Sequence, residues 1–275
     1  MEDLSKNSQL RAMGFCGADD SVSQEFLIFL SEHYHFIEWG VLFRPDLEGT
    51  PRYASWEWTT KLCQLEAQRR DMCNPSATEA YHPMRLAAHL CSSRCQDILD
   101  GKPDFVLELK SLGFGRVQVN ATKANNVSIN QTNIEVTISN IRKCMRYVPS
   151  IEWILQYNEE TRCICDSFLL DPEPNMSILY DSSCGLGVQM KEFPTPLRND
   201  ILHGYAGGID SSNIRELLGK IFECNMGKSV WIDMESSLRM KIITPNGDIK
   251  DTFSIDKCFA CITVGEQLCN NTSSS

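Results

Sequence analysis

Two residues that can transfer protons end short apolar runs of the kind that form buried β-strands. Cys16 ends the run from Arg11 to Cys16, and Asp181 follows Ile178-Leu179-Tyr180. A carboxyl group can donate a proton and a thiolate can accept one, so these side chains could act as acid and base. Two structural interpretations stand beside this one: Cys16 as a small buried apolar residue, and Asp181 as a cap for the following loop.

Polar residues or glycines also end the other apolar runs, which would build a ligand site if the runs were neighbouring parallel strands. Arg44 and Arg52 could hold a substrate carboxylate through paired hydrogen bonds, or could stabilise their own loop. Asp233 and Glu235 share a strand face, and could bind a metal or hydroxyl groups or form ordinary surface pairs. The other residues at these ends are Gln118, Asn120, Gln156, Gly207 and Gly208.

Two glycine-containing segments could wrap a ligand. Gly207 and Gly208 precede a predicted helix, whose N-terminus is a ready anion site, although the pair could also form only a tight turn. Gly185 and Gly187 follow Asp181 and give that loop the same freedom.

The spacing of the apolar runs predicts an α/β fold in which strands alternate with amphipathic helices. The capping-box pattern Ser21-x-x-Gln24 predicts the first helix, and Ile214, Leu217, Leu218, Ile221 and Phe222 follow the spacing of one face of a later helix. The predicted strands are 11–16, 36–43, 84–90, 114–120, 151–157, 176–180, 201–205 and 230–234. Eight such units favour a closed (β/α)8 TIM barrel; the alternative is an open doubly wound sheet, but no G-x-G-x-x-G follows the first strand.

Length and composition predict one domain with a sizeable core. The 275 residues are 42% hydrophobic and 23% charged, and we expect a barrel over 11–269 with a flexible N-terminus at 1–10 and a disordered tail at 270–275. A net charge of −10 argues against nucleic acid as a partner. Without a long apolar run or an apolar leader we expect a cytoplasmic protein that does not enter a membrane. The oligomeric state is left open.

The thirteen cysteines predict reduced, buried side chains rather than disulfides or a zinc site. Cys91 and Cys95, Cys163 and Cys165, and the pair in the last helix do not form the paired C-x2-C arrays of structural zinc. No H-x-H motif ends the first strand, so a metal-dependent barrel hydrolase is disfavoured. We therefore predict no metal and no cofactor.

Six segments carry motifs in a fixed order along the chain. They are Phe15-Cys16-Gly17-Ala18, Arg52-Tyr53-Ala54-Ser55, Val117-Gln118-Val119-Asn120, Ile178-Leu179-Tyr180-Asp181, the segment from Tyr205 to Ile214, and Trp231-Ile232-Asp233-Met234-Glu235-Ser236-Ser237. Taken together, this series resembles phosphoribosylanthranilate isomerase, a barrel enzyme of tryptophan biosynthesis. The segment containing Gly207 and Gly208 is the longest match.

The resemblance implies an Amadori rearrangement, in which an aminoaldose becomes an aminoketose. It implies that Cys16 is the general base, that Asp181 is the general acid and that the substrate is a phosphorylated sugar derivative. The residues it assigns to the phosphate are Gly207, Gly208, Ser236 and Ser237.

Two departures from the family's motifs support a different hypothesis. Asn120 stands where the family has histidine, and Glu235 stands where it has serine, which puts a carboxylate beside a phosphate dianion. The alternative function is therefore a non-catalytic barrel that binds a metabolite or serves as a scaffold.

Overall fold

Eight short parallel strands close into a barrel because their apolar residues are buried on both faces. β2 is buried at all seven positions, as expected for a strand covered by helices outside and filled by side chains inside. The strands are β1 Leu10–Cys16, β2 Ile37–Phe43, β3 Leu86–Leu90, β4 Arg116–Val119, β5 Glu152–Tyr157, β6 Met176–Tyr180, β7 Leu202–Ala206 and β8 Val230–Met234. Each pairs with the next, and β1 pairs with β8, which confirms the predicted (β/α)8 barrel.

The computed structural model describes residues 10–72, 81–181, 184 and 192–271. Its helices are α1 Gln24–His33, α2 Trp56–Met72, α3 Ser92–Leu99, α4 Asp104–Ser111, α5 Ile134–Tyr147, α6 Arg162–Leu170, α7 Ile214–Cys224 and α8 Ile255–Asn271. Both α3 and α4 lie between β3 and β4. Within the described ranges, no helix is long and apolar enough to cross a membrane.

The boundaries differ from the sequence expectations at several elements. β1 begins at Leu10 and α8 ends at Asn271, while residues 1–9 and 272–275 lie outside the described residues. The predicted capping box at Ser21 is wrong, because α1 begins at Gln24 and the Gln24 amide donates to the Trp58 carbonyl oxygen. The face of α7 agrees with its prediction at Ile214, Leu217, Leu218 and Ile221, which are buried, whereas Phe222 is only partly buried against the core.

The lower half of the barrel interior is filled by an aromatic ring and a buried ion-pair network. A Cβ on Gly204 would overlap the Trp231 indole, so glycine at this position makes room for that ring. The Arg116 guanidinium lies 4.3 Å from the centre of the same indole. It also pairs with Glu38 and with Glu152, each at 2.8 Å. This layer closes the barrel below the strand ends and leaves the opposite mouth for a ligand.

A hairpin between β8 and α8 was not predicted. β9 Arg239–Ile243 and β10 Ile249–Phe253 pair antiparallel, and Gly247 has φ +87° in the turn between them. Arg239 is buried and pairs with Asp19 at 2.7 Å and with Asp251 at 2.9 Å. The hairpin therefore holds the loop that follows β1, next to the mouth of the barrel.

Candidate functional site

A cavity of about 490 Å³ opens at the carboxyl ends of the strands. Most of the residues that the sequence analysis selected line it, because parallel strands end at one rim of the barrel. They are Arg52, Gln118, Asn120, Gln156, Asp181, Gly207, Gly208, Asp233, Glu235, Ser236 and Ser237. Cys16 and Arg44 lie elsewhere. Gly185 and Gly187, predicted to wrap a ligand, lie outside the described residues.

Asp181 lies at the end of β6 with 5% of its surface exposed. The side-chain amide of Gln156, at the end of β5, donates a hydrogen bond of 2.6 Å to Asp181 Oδ2. Gln156 Oε1 is buried and has no protein partner within the described part of the chain. A ligand hydroxyl or N–H could satisfy that oxygen while it meets the Asp181 carboxyl group.

Gln118 and Asn120 form a second amide pair at the end of β4. Gln118 Nε2 donates to Asn120 Oδ1 at 2.7 Å, and Asn120 Nδ2 contacts Cys91 Sγ at 3.5 Å. Gln118 Oε1 is buried and, among the residues that the structure describes, has no hydrogen-bond partner. Asn120 is thus held by the protein, whereas Gln118 offers an acceptor to a ligand.

Cys16 lies below the cavity and is 1% exposed. Its thiol donates a hydrogen bond of 2.6 Å to Asp233 Oδ1, and its sulfur lies 3.4 Å from His89 Nε2. Burial, reinforced by the Asp233 charge, raises the pKa of the Cys16 thiol well above its usual range. Burial therefore favours the thiol form of Cys16 over the thiolate.

Burial also shifts the pKa values of Asp233 and His89, the two neighbours of Cys16, in the directions that favour their neutral forms. Burial raises the pKa of Asp233 to about 7, against the lowering effect of the Cys16 hydrogen bond. Burial, together with the Arg116 charge, lowers the pKa of His89 to about 3. His89 was not among the predicted site residues. Its position opposite Gln118 emerges only from the register of β3 and β4 in the folded barrel, so no sequence signal identified it.

Arg52 brings a positive charge to the Glu235 carboxylate at the rim. Arg52 Nη1 lies 2.8 Å from Glu235 Oε1, and both side chains are about one-third exposed. The Arg52 backbone has φ +82°, a conformation that is unusual for a residue with a Cβ, and its N–H donates to Asp19 Oδ2 at 2.5 Å. Burial raises the pKa of Glu235, while the Arg52 charge opposes that shift.

The loops after β7 and β8 are tied to each other beside the cavity. Gly207 and Gly208 have φ of +108° and +64°, which glycine adopts without a steric cost. Ser237 Oγ donates to the Ile209 carbonyl oxygen at 2.7 Å. Within the described ranges, the backbone N–H groups of Gly207, Gly208 and Ser236 make no hydrogen bond to a protein acceptor. These donors are available to an anion.

Arg44 lies in a second cavity of about 340 Å³ with Phe43, Arg94 and Phe105. Its guanidinium pairs with Asp46 at 3.2 Å and lies 5.8 Å from the centre of the Tyr53 ring. Tyr53 itself lines the main cavity. The predicted pairing of Arg44 with Arg52 around one substrate carboxylate is thus not seen, since the two side chains face different cavities.

Comparisons with known proteins agree with the fold. No protein-family model matches the chain, and no curated protein matches it. One similar structure is that of mutually generated monomers of dimeric phosphoribosylanthranilate isomerase from Thermotoga maritima. It is 13% identical in sequence, the match covers 94% of this chain and 99% of that chain, and the TM-score is 0.53. Another structure of phosphoribosylanthranilate isomerase from the same organism is 14% identical, covers 94% of this chain and 100% of its own, and has a TM-score of 0.52. At these identities the likeness shows the fold alone: this chain is a (β/α)8 barrel of the kind seen in those isomerase structures.

Proposed function

We propose that the chain is an isomerase that acts on a phosphorylated sugar derivative by general acid–base catalysis. The observation that carries this proposal is the meeting, in one cavity, of the Asp181 carboxyl group with the amide donors of the Gly207-Gly208 loop. An acid near a phosphate cradle suits the opening of a phosphorylated aminoaldose ring. The small-molecule partner would bind inside the cytoplasm, with neither nucleic acid nor membrane involved.

Asp181 is proposed as the acid that protonates the ring oxygen as the ring opens. Its hydrogen bond from Gln156 orients one carboxyl oxygen, and Asp181 lines the cavity. The free Oε1 of Gln156 and that of Gln118 would accept hydrogen bonds from sugar hydroxyls. These acceptors favour a polyhydroxylated ligand.

The phosphate is proposed to bind at Gly207, Gly208, Ser236 and Ser237. Glycines after β7 let a ligand approach the backbone closely. In the described chain, the N–H groups of Gly207 and Gly208, and that of Ser236 after β8, have no protein acceptor. The negative charge of Glu235 would repel a bound anion, but the ion pair with Arg52 offsets much of that negative charge. Asp233, Asn120 and the Arg52–Glu235 pair would contact the remainder of the substrate; Arg44 could contribute only through Tyr53.

Proton abstraction at C2 is assigned by resemblance to Cys16. The thiol does not line the cavity, and its proton is directed at Asp233. For Cys16 to act as a base, Asp233 must accept that proton and the substrate must reach the sulfur.

The arrangement of Cys16 specifically favours the second candidate, a barrel that binds a sugar phosphate without converting it. A buried thiol with a raised pKa holds its proton and so offers little thiolate to act as a base, and Asn120 lacks the titratable ring of the histidine it replaces. This candidate shares the ligand class with the first and differs only in turnover.

Turnover of a phosphoribosyl arylamine separates the two candidates. We expect the wild-type chain to form the aminoketose and Asp181→Asn to lose at least about 100-fold of that rate, since general acid catalysis contributes about 10²–10⁴-fold. Asp200→Asn is the control, because Asp200 is exposed and paired with Arg198 away from the cavity. Binding of the ligand without turnover by the wild-type chain would establish the second candidate, and no binding would exclude both.

A further inference from the structure

The interior below the cavity brings a thiol, an imidazole and a carboxylate together from three strands. Cys16 on β1, His89 on β3 and Asp233 on β8 each offer one ligand atom, and these atoms all lie within 4.8 Å of one another. Cys16 and His89 are buried, whereas Asp233 also lines the cavity. We propose that these three residues bind one zinc-like transition-metal cation with an open coordination position toward the cavity. This differs from the sequence-based expectation of no metal.

The donor set selects the class of cation. Thiolate sulfur and imidazole nitrogen are typical ligands of zinc and cobalt, whereas calcium and magnesium take oxygen ligands. Three protein ligands with a fourth position left for water or substrate is the arrangement of catalytic rather than structural zinc. The exposure of Asp233 to the cavity places that fourth position where a ligand oxygen could enter.

The distances require one defined rearrangement. Zinc–sulfur and zinc–nitrogen bonds at tetrahedral angles set the two donor atoms about 3.6 Å apart, close to the 3.4 Å between Cys16 Sγ and His89 Nε2. Cys16 Sγ and Asp233 Oδ1 are only 2.6 Å apart, with the thiol donating to the carboxylate. Cation entry breaks the S–H bond, forms a metal–sulfur bond and releases one proton to water. The Asp233 oxygen then has to withdraw by about 1 Å to reach a ligand spacing.

Space for the cation comes from two glycines. A Cβ on Gly40 would overlap Cys16 Sγ and lie 3.0 Å from His89 Nε2, and a Cβ on Gly14 would overlap Asp233 Oδ1. Glycine at both inward positions therefore leaves the three donors in contact with one another and with no intervening side chain.

The surrounding charge also favours a cation. Glu38 and Glu235 flank this cluster, and each already has an arginine partner, Arg116 and Arg52 respectively. Among the described residues, no Lys or Arg lies within ion-pair distance of Asp233. The Arg116 charge reaches Asp233 only from beyond ion-pair distance, and a divalent cation would place positive charge directly on this carboxylate.

The inference goes beyond the proposed function and does not depend on it, since cation binding is measured without any substrate. A bound cation would occupy the Cys16 sulfur and so exclude it as the base, while Asp181 would be unaffected.

Cobalt(II) titration of the purified full-length chain tests the site through the sulfur-to-cobalt charge-transfer absorption. We expect this band to saturate at one cobalt per chain with release of about one proton. Cys16→Ser should abolish the band, and His89→Gln should weaken cobalt binding at least about tenfold, since even outer-shell changes cost about 10–100-fold. Cys163→Ser is the matched control, because Cys163 is a partly exposed cysteine away from the cavity. This variant should leave the charge-transfer band and the affinity for cobalt unchanged.

X-ray absorption of the zinc-loaded wild-type chain decides the ligand set without relying on any variant folding. The proposal predicts one sulfur at about 2.3 Å and nitrogen or oxygen ligands at about 2.0 Å. Two or more sulfurs would place the cation at other cysteines and overturn it. Absence of the cobalt band in the wild-type chain, or a band that survives both Cys16→Ser and His89→Gln, would overturn it as well.

Discussion

The Arg52 guanidinium lies 2.8 Å from the Glu235 carboxylate, across the rim where a phosphate would bind. This pair would allow a carboxylate to stand beside the proposed phosphate site, since Arg52 offsets its charge. Arg52 is itself fixed by Asp19, which is held by Arg239 of the β9–β10 hairpin. The β9–β10 hairpin, which the sequence analysis did not predict, therefore fixes the position of the Arg52 charge at the cavity.

Glu235→Gln should increase the affinity for inorganic phosphate by several-fold to about tenfold. The variant keeps the shape of the side chain, removes the negative charge and frees the Arg52 guanidinium to bind the anion. Calorimetric titration with phosphate measures the change. Glu216→Gln, which breaks an exposed pair with Lys220, is the control and should leave phosphate binding unaltered. An unchanged or reduced affinity in Glu235→Gln would show that the phosphate does not approach this carboxylate.

Arg239→Met should lower the free energy of unfolding by about 3–5 kcal/mol. The substitution leaves the buried Asp19 carboxylate without its ion-pair partner, which is the costly way to break a buried pair. Denaturant-induced unfolding provides the measurement. Arg198→Met removes an exposed pair with Asp200 and should cost about 1 kcal/mol or less. Equal losses in the two variants would contradict the role assigned to Arg239.

Gly204→Ala should destabilise the barrel by about 1–3 kcal/mol, because the new methyl group overlaps the Trp231 indole in a filled interior. Gly219→Ala is the opposite case. Gly219 lies within α7, where a Cβ meets no atom within 4 Å, so alanine should be neutral or stabilise by up to about 1 kcal/mol. Thermal or denaturant unfolding of the two variants compares them directly. If both shift stability in the same direction, the packing described for Trp231 is incorrect.

Stability should fall as the pH is lowered from about 6.5 to about 4 through the titration of His203. Burial is the main cause that lowers its pKa to about 4, below the value of an unfolded chain. The unfolded state therefore binds more protons in this window, and folding is favoured as the pH rises. The difference between the pKa of His203 in the unfolded and folded states corresponds to about 3 kcal/mol of the free energy of unfolding. Unfolding curves of the wild-type chain and of His203→Gln across this pH range give the measurement.

Replacing His203 by Gln should reduce that slope without removing it, since glutamine does not titrate but buried His89, whose pKa is lowered to about 3, contributes with the same sign. His33→Gln is the matched control, because His33 is an exposed histidine at the end of α1 and its substitution should retain the slope. A wild-type slope that persists in His203→Gln would assign the pH dependence to other groups.

The barrel could be predicted because its eight strands are apolar runs that differ in pattern from the helices between them. Met176–Tyr180 and Val230–Met234 coincide with the predicted runs. Their polar end residues, Asp181 and Asp233, line one cavity because parallel strands end at one rim. The periodicity of side chains was thus sufficient for the fold and for the location of the candidate site.

The hairpin and the Cys16 cluster could not be derived from the same signals. β9 and β10 are largely exposed, so their apolar residues form no buried run, although Asn246-Gly247 is a turn signal that was available. His89 on β3 comes close to Cys16 on β1 only in the folded barrel, where Gly40 on the intervening strand β2 leaves room between them. That arrangement depends on the three-dimensional register. Arg44 is carried away from the rim by a loop conformation that local sequence does not specify.

Calorimetric binding of ribose 5-phosphate and of ribose to the wild-type chain tests the central proposal most directly. We predict measurable binding of ribose 5-phosphate and an affinity for ribose that is lower by at least about tenfold, or about 1.4 kcal/mol, because the Gly207, Gly208 and Ser236 amides are proposed to bind the phosphate. Equal affinity for the two sugars, or no binding of either, would contradict it.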